Sequence, residues 1–202
     1  FNIGVHFGIN TSNRTIAKGV FSEWSHNSWS TGIDLGATVD INFRDWLSIQ
    51  PGFFYESRSG NFAYVYNAVA ADGNIGRVTQ LGHGRSYNFT IPIVASGHLN
   101  ITDDLRWNLD LGPYFQFNIS NSFSNKVEYP LAVLSDNSSI PAGLGTAKTR
   151  GFDFGFKFGT SLTIKRHYNV GVHYEAGCLN VWKPKQLGGR NKAWVFSAGY
   201  IF

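Results

Sequence analysis

Two pairs of side chains have the types and spacing that acid–base or nucleophilic chemistry uses: His173 with Glu175, and Ser96 with His98, each two residues apart. A histidine beside a carboxylate or a hydroxyl can act as general base for a nucleophile. A two-residue step puts both partners on one face of a β-strand. Neither pair extends to a complete set of nucleophile, base and orienting acid in one strand region. A lipid-modifying hydrolase would require His98 or His173 to be essential. His6, His98 and His173 are too scattered to compose a metal site. No cofactor motif accompanies them, so the expectation is a chain that is not an enzyme and binds no cofactor. The single cysteine, Cys178, cannot form an internal disulfide and reads as a small residue on an apolar strand face.

These residues belong to a larger polar set whose positions follow a period of two. Near the end of the chain Trp194, Phe196, Ala198, Tyr200 and Phe202 occupy alternate positions, and Phe152, Phe154, Phe156 and Phe158 alternate with Asp153, Gly155, Lys157 and Gly159. The alternation predicts eight strands: 1–10, 31–43, 46–58, 87–101, 105–117, 151–164, 168–178 and 193–202. Most have about the 9–11 residues that a tilted strand needs to cross a bilayer. In a soluble sandwich the aromatic face would be the core. In a transmembrane barrel it meets lipid and the polar face lines the lumen.

Composition favours the barrel. Charged residues make up 15% of the chain and aromatics 16%, with 23 glycines. Soluble domains carry nearer ~25% charged residues. Mean hydropathy is -0.15, and no stretch approaches the roughly 20 apolar residues of a spanning helix. The chain holds no methionine, as an exported protein with its leader removed would. One domain over residues 1–202 is expected.

The connections alternate strictly. Arg44-Asp45, Thr102-Asp103-Asp104 and Lys165-Arg166-His167 make tight turns, whereas segments near 11–30, 59–86, 118–150 and 179–192 read as long loops. Outer-membrane barrels have short periplasmic turns and long extracellular loops. The fold class is therefore an all-β, eight-stranded antiparallel transmembrane barrel with both termini periplasmic. Pro51, Pro92 and Pro113 fall inside predicted strands, where bulges or weakened pairing are expected.

So narrow a barrel is filled by its own side chains. The inward charged set is Asp34, Asp40, Glu56, Arg58, His98, Arg106, Asp110, Asp153, Lys157, His173 and Glu175, with Gln50 and Asn88. If Ile164 faces Tyr168 across its turn, Lys157 faces Glu175 and pairs with it. Asp34 beside Glu56 would need Arg58, another cation or a shared proton. This lumen network reads as a register-fixing plug. Its many glycines leave a narrow conduit for a small or apolar solute as the alternative.

The net charge of +4 is sorted toward the loops, which hold Arg14, Lys18, Arg77, Arg85, Lys126, Lys148, Arg150, Lys183, Lys185, Arg190 and Lys192 against Glu23, Asp72, Glu128 and Asp136. A basic rim suits phosphorylated lipopolysaccharide. Trp24 and Trp29, with Lys183, Lys185 and Arg190, are candidate loop contacts for an extracellular glycan or protein. Nucleic acid is not expected, since no recognition motif accompanies the charge.

The stretches "FNIGVHFGIN", "LSIQPGFFYESRSG", "YNFTIPIVASGHL", "LDLGPYFQF" and "FSAGYIF", in this order and spacing, resemble the PorT-like outer-membrane β-barrel family within the wider group of eight-stranded barrels. The resemblance implies the outer membrane of a Gram-negative cell, contact with its lipid and lipopolysaccharide, and handling by barrel-assembly machinery that reads a terminal aromatic such as Phe202. It also implies a founding member linked to protein secretion, and members mostly without a defined activity. The expected role is a non-enzymatic surface or structural protein whose loops bind a ligand, glycan or partner. A narrow channel and a secretion accessory are the alternatives. A soluble sandwich would need its polar face in water.

Overall fold

The alternating segments become eight antiparallel strands: β1 (Asn2–Arg14), β2 (Trp24–Arg44), β3 (Leu47–Val69), β4 (Ile75–Thr102), β5 (Leu105–Glu128), β6 (Phe152–Ile164), β7 (Tyr168–Gly177) and β8 (Asn191–Ile201). Each pairs with its sequence neighbours, and β1 closes on β8 to complete a barrel. The structure is a computed structural model that describes residues 1–14, 24–69, 75–128, 150–180 and 189–202.

Which face turns inward separates the barrel from the sandwich. Among the described residues, six apolar side chains are buried against twenty-five polar or charged ones, the inverse of a soluble core. Phe7, Leu35, Leu111 and Phe156 stand outward at 55%, 57%, 60% and 46% exposure. Outward rings run from strand to strand, as in Phe115–Phe154 at 5.4 Å and Tyr174–Trp194 at 4.8 Å. The parity assignment holds throughout: every residue of the inward charged set lies on the lumen side, and Cys178 is exposed.

The three tight turns form within one residue of where the sequence places them, at 45–46, 103–104 and 165–167. The third is held hardest. Lys165 and Arg166 have φ of 50° and 63°, and the His167 amide donates to the Ile164 carbonyl at 3.2 Å. Positive φ at both central residues is a type I′ hairpin turn, which favours Asn-Gly. The Lys165 amide donates to the Asp104 carbonyl at 2.7 Å, and the Ile201 amide to the His167 carbonyl at 2.7 Å. The His167 ring also lies flat against Tyr200, 5.4 Å between centroids at 9°.

The opposite end differs from the sequence reading. Much of what reads as irregular loop is paired strand. β2 to β5 have 21, 23, 28 and 24 residues, against the roughly 9–11 that cross a bilayer. The β3–β4 ladder runs on to Val69 opposite Ile75, and the β4–β5 ladder to Thr79 opposite Glu128.

The prolines do not shift the register. Pro51 pairs with Ile93, Pro92 with Tyr114 and Pro113 with Phe156 in unbroken numbering, although the ladders skip steps beside Pro51 and Pro92. The bulges lie elsewhere: between Trp29 and Asp34, between Asn42 and Arg44, between Tyr87 and Asn88, and between Asn100 and Thr102. At the first, β1 reaches β3 directly. Ser12 Oγ donates to the Ser59 carbonyl at 2.7 Å, and Asn10 Nδ2 to the Ser57 carbonyl at 2.9 Å. Gly32 lies in this crowded bend, where an added Cβ would stand 1.9 Å from the Ser57 oxygen.

Candidate functional site

Lumen-facing positions on β2, β3, β6 and β7 bring charge together at one level of the bore. Lys157 faces Glu175 across adjacent strands, as the turn register predicts, and Asp34 faces Glu56. Lys157 Nζ stands 3.2 Å from Glu175 Oε1. Arg58 forks onto Glu56 Oε2 from Nη2 at 2.7 Å and Nε at 3.0 Å, and its Nη2 also meets Glu175 Oε2. The last contact joins β3 to β7 across the lumen. Arg58, Glu56 and Glu175 are 1%, 2% and 0% exposed. Ions this deeply buried require such pairing. Aromatic rings back both cations: Arg58 lies 5.9 Å from the Tyr114 ring centre, and Lys157 lies 5.1 Å from that of Phe54.

Neutral amides complete the belt. Gln116 Nε2 donates to Glu56 Oε2 at 3.0 Å and to Thr90 Oγ1 at 3.2 Å. Asn10 Nδ2 donates to Asp34 Oδ2 at 2.8 Å. Asp153 lies apart, held by Asn191 Nδ2 at 2.7 Å. Gln116, Asn10, Tyr114 and Phe54 were not among the candidates read from the sequence. Their strand parity alone would have found them.

Closer to the short turns lie two further clusters. Asp110 accepts from Ser96 Oγ at 2.5 Å and Ser161 Oγ at 3.2 Å, and His173 Nε2 lies 2.8 Å away. His98 stands between Ser48 Oγ at 2.9 Å and Asn108 Oδ1 at 2.8 Å, with Ser48 also donating to Asp40 Oδ1 at 3.1 Å. The Ser48–His98–Asn108 spacing is that of nucleophile, base and orienting amide. Ser48 is 0% exposed and its hydroxyl is already engaged by Asp40, so a substrate has no approach. The two pairs that began the sequence reading are separated: Ser96 and His173 both bond Asp110, while His98 and Glu175 turn to other partners. Asp110→Ala would leave three donors without their acceptor. A loss of about 2 kcal/mol or more in urea unfolding is expected.

A small cavity of about 60 Å³ remains below the belt, touched by Asp34, Lys157, Asp110 and Arg106. A water needs roughly 10–15 Å³ of such volume. Among the described residues, no group of three histidines, cysteines or carboxylates could hold a metal ion.

The loop candidates are dispersed. Trp24 and Trp29 belong to β2, opposite Val65 and Gly60, which corrects their placement in a loop. Trp29 is 43% exposed and Arg190 is exposed just before β8. Lys183 and Lys185 lie outside the described residues.

Residues 1–181 match the family model described as the outer membrane protein beta-barrel domain. The chain belongs to that family. For this barrel domain the outward apolar band faces the hydrocarbon of a Gram-negative outer membrane, and the polar face lines its lumen. No curated protein matches the sequence. Among solved structures, Ail of Yersinia pestis is 12% identical with a TM-score of 0.45, covering 100% of this chain and 98% of its own. Ail was also solved in complex with the heparin analogue sucrose octasulfate. OprG of Pseudomonas aeruginosa is 13% identical with a TM-score of 0.44, covering 100% of this chain and 95% of its own. The outer membrane enzyme PagL is 9% identical with a TM-score of 0.36, over 95% of this chain and 97% of its own.

Proposed function

We propose that this outer-membrane barrel is a non-enzymatic surface protein with a closed bore, acting through the β2–β5 extension and its loops. The observation that carries the reading is the Glu56–Arg58–Glu175–Lys157 belt, which crosses the lumen from β3 to β7 at almost no exposure. A solute would have to break several buried ion pairs to pass, and each costs several kcal/mol to break. With the bore occupied, contact with a ligand falls to what the barrel holds outside the bilayer. Trp29 and the basic residues Arg85, Arg190 and Lys192 are exposed toward that end. They suit lipopolysaccharide phosphate or an anionic extracellular glycan or protein. On this reading the short turns lie on the periplasmic side. The segments that resemble PorT-like barrels support accessory work in secretion as an alternative role.

Single-channel recording in a planar bilayer tests the reading, with insertion verified by heat-modifiable gel mobility. Wild-type protein should be silent. Discrete wild-type openings that change in Lys157→Ala would make the lumen a conduit and overturn the closed-bore account.

A further inference from the structure

One inward cation stands apart from the belt. Arg106 faces inward from the start of β5, yet no carboxylate or hydrogen-bond acceptor among the described residues meets its guanidinium, and its Nε is buried without a partner. A buried, unpartnered guanidinium N–H is costly and calls for an acceptor. Arg106 lines the inner cavity and also a separate vestibule of about 440 Å³ at the short-turn mouth.

Arg44 and Arg166 line the same vestibule, with Asn42 and Asn100 beside them. Asp45, Asp103 and Asp104 stand on its rim, but no ion pair within 4.0 Å joins any of these acids to the three arginines. The acids are exposed, while Arg106 is half-buried. Exposed charges are screened over about 10 Å at ordinary salt and deeper ones less.

Arg166 is independently informative. It and Lys165 hold positive φ, where a side chain other than Gly, Asn or Asp is strained. Asn-Gly would fit this turn better. Backbone strain that surrounding bonds over-determine is a reason to look for a function of the side chains it presents. Here the bonds to Asp104 and Ile201 clamp the turn, so Arg166 is delivered to the vestibule in a fixed place.

We infer that the short-turn mouth is a binding site for a phosphate- or carboxylate-bearing anion, gripped by Arg106 at its floor and by Arg44 and Arg166 at its walls. A guanidinium fork matches a pair of oxygens of either group bidentately, and the asparagine amides add neutral donors. The anion comes either from a membrane-lipid headgroup or free from the aqueous phase.

The test uses the full chain in zwitterionic phosphatidylcholine nanodiscs, titrated with inorganic pyrophosphate by calorimetry. Saturable binding is expected, weakened at least tenfold in Arg106→Gln and in the double variant Lys165→Asn/Arg166→Gly. Cys178→Ser, just beyond β7 at the opposite end, should bind as wild type. The double variant should be at least as thermally stable as wild type while binding worse, a split that a purely structural turn does not produce. Repeating the titration in discs containing phosphatidylglycerol identifies the source. A lower apparent affinity assigns the seat to a lipid headgroup, and an unchanged one to a soluble anion; both uphold the site. Absent saturation, binding that survives Arg106→Gln, or a double variant less stable than wild type overturns it.

Discussion

Glu175→Gln should lower the stability of the folded barrel by about 3–5 kcal/mol, the usual cost of removing one member of a buried ionic cluster. The carboxylate is 0% exposed and meets both Arg58 and Lys157. Without its charge, two buried cations share Glu56 as the one carboxylate bonded to Arg58. The variant should unfold at distinctly lower urea in liposomes and lose its heat-modifiable gel shift at lower temperature. Lys157→Gln in the same chain should return part of the loss, because it removes the cation left without its partner. Coupling between the two changes of 1 kcal/mol or more is the expected signature of residues in contact. Additive losses would show that Lys157 and Glu175 do not act as a pair.

Gly32→Ala is the second large effect. A Cβ there would stand 1.9 Å from the Ser57 carbonyl oxygen and 2.8 Å from Asn10 Oδ1. The obstacle is backbone, and it is pinned by Asn10 Nδ2 at 2.9 Å, so a side chain cannot simply swing aside. Relief requires β2 and β3 to separate where β1 already bonds β3. A loss of several kcal/mol is expected, at or above the upper end of ~1–3 kcal/mol for overpacking. Gly151→Ala is the matched control, since nothing lies within 4 Å of a Cβ there. Equal unfolding midpoints for the two variants would refute the close-approach argument.

The sequence made the barrel wall legible because lipid and lumen impose opposite demands on alternate residues. Parity placed Asp34, Glu56, Lys157 and Glu175 inward, and the Lys165–His167 turn then set Lys157 against Glu175, whereas the bulge between Asn42 and Arg44 is what brings Asp34 opposite Glu56. The link from Arg58 to Glu175 was not legible. It joins strands that are not neighbours, and barrel curvature, which no local pattern encodes, brings them together. The β2–β5 extension was hidden for a different reason. Outside the apolar band both faces of a strand meet water, so the two-residue period disappears while the ladder continues. Trp24 and Trp29 therefore read as loop residues although they sit in register with Val65 and Gly60. Of the two outcomes expected at the prolines, weakened pairing is found beside Pro51 and Pro92 and bulges are not, because a residue without an amide hydrogen can open a gap in the ladder without moving the register. The bulges instead mark Trp29–Asp34 and Tyr87–Asn88, near the edge of the apolar band.

The seam between β1 and β8 also governs how the chain matures. Seven of the eight ladders join consecutive strands and can form as soon as a hairpin exists. The eighth, from Gly4 opposite Ile201 to Arg14 opposite Asn191, spans nearly the whole chain. Contacts so distant in sequence form slowly, because the loop they close is long. Until then β1 and β8 each present a row of unpaired amides and carbonyls, which is where a newly exported chain is open to pairing with a second copy of itself.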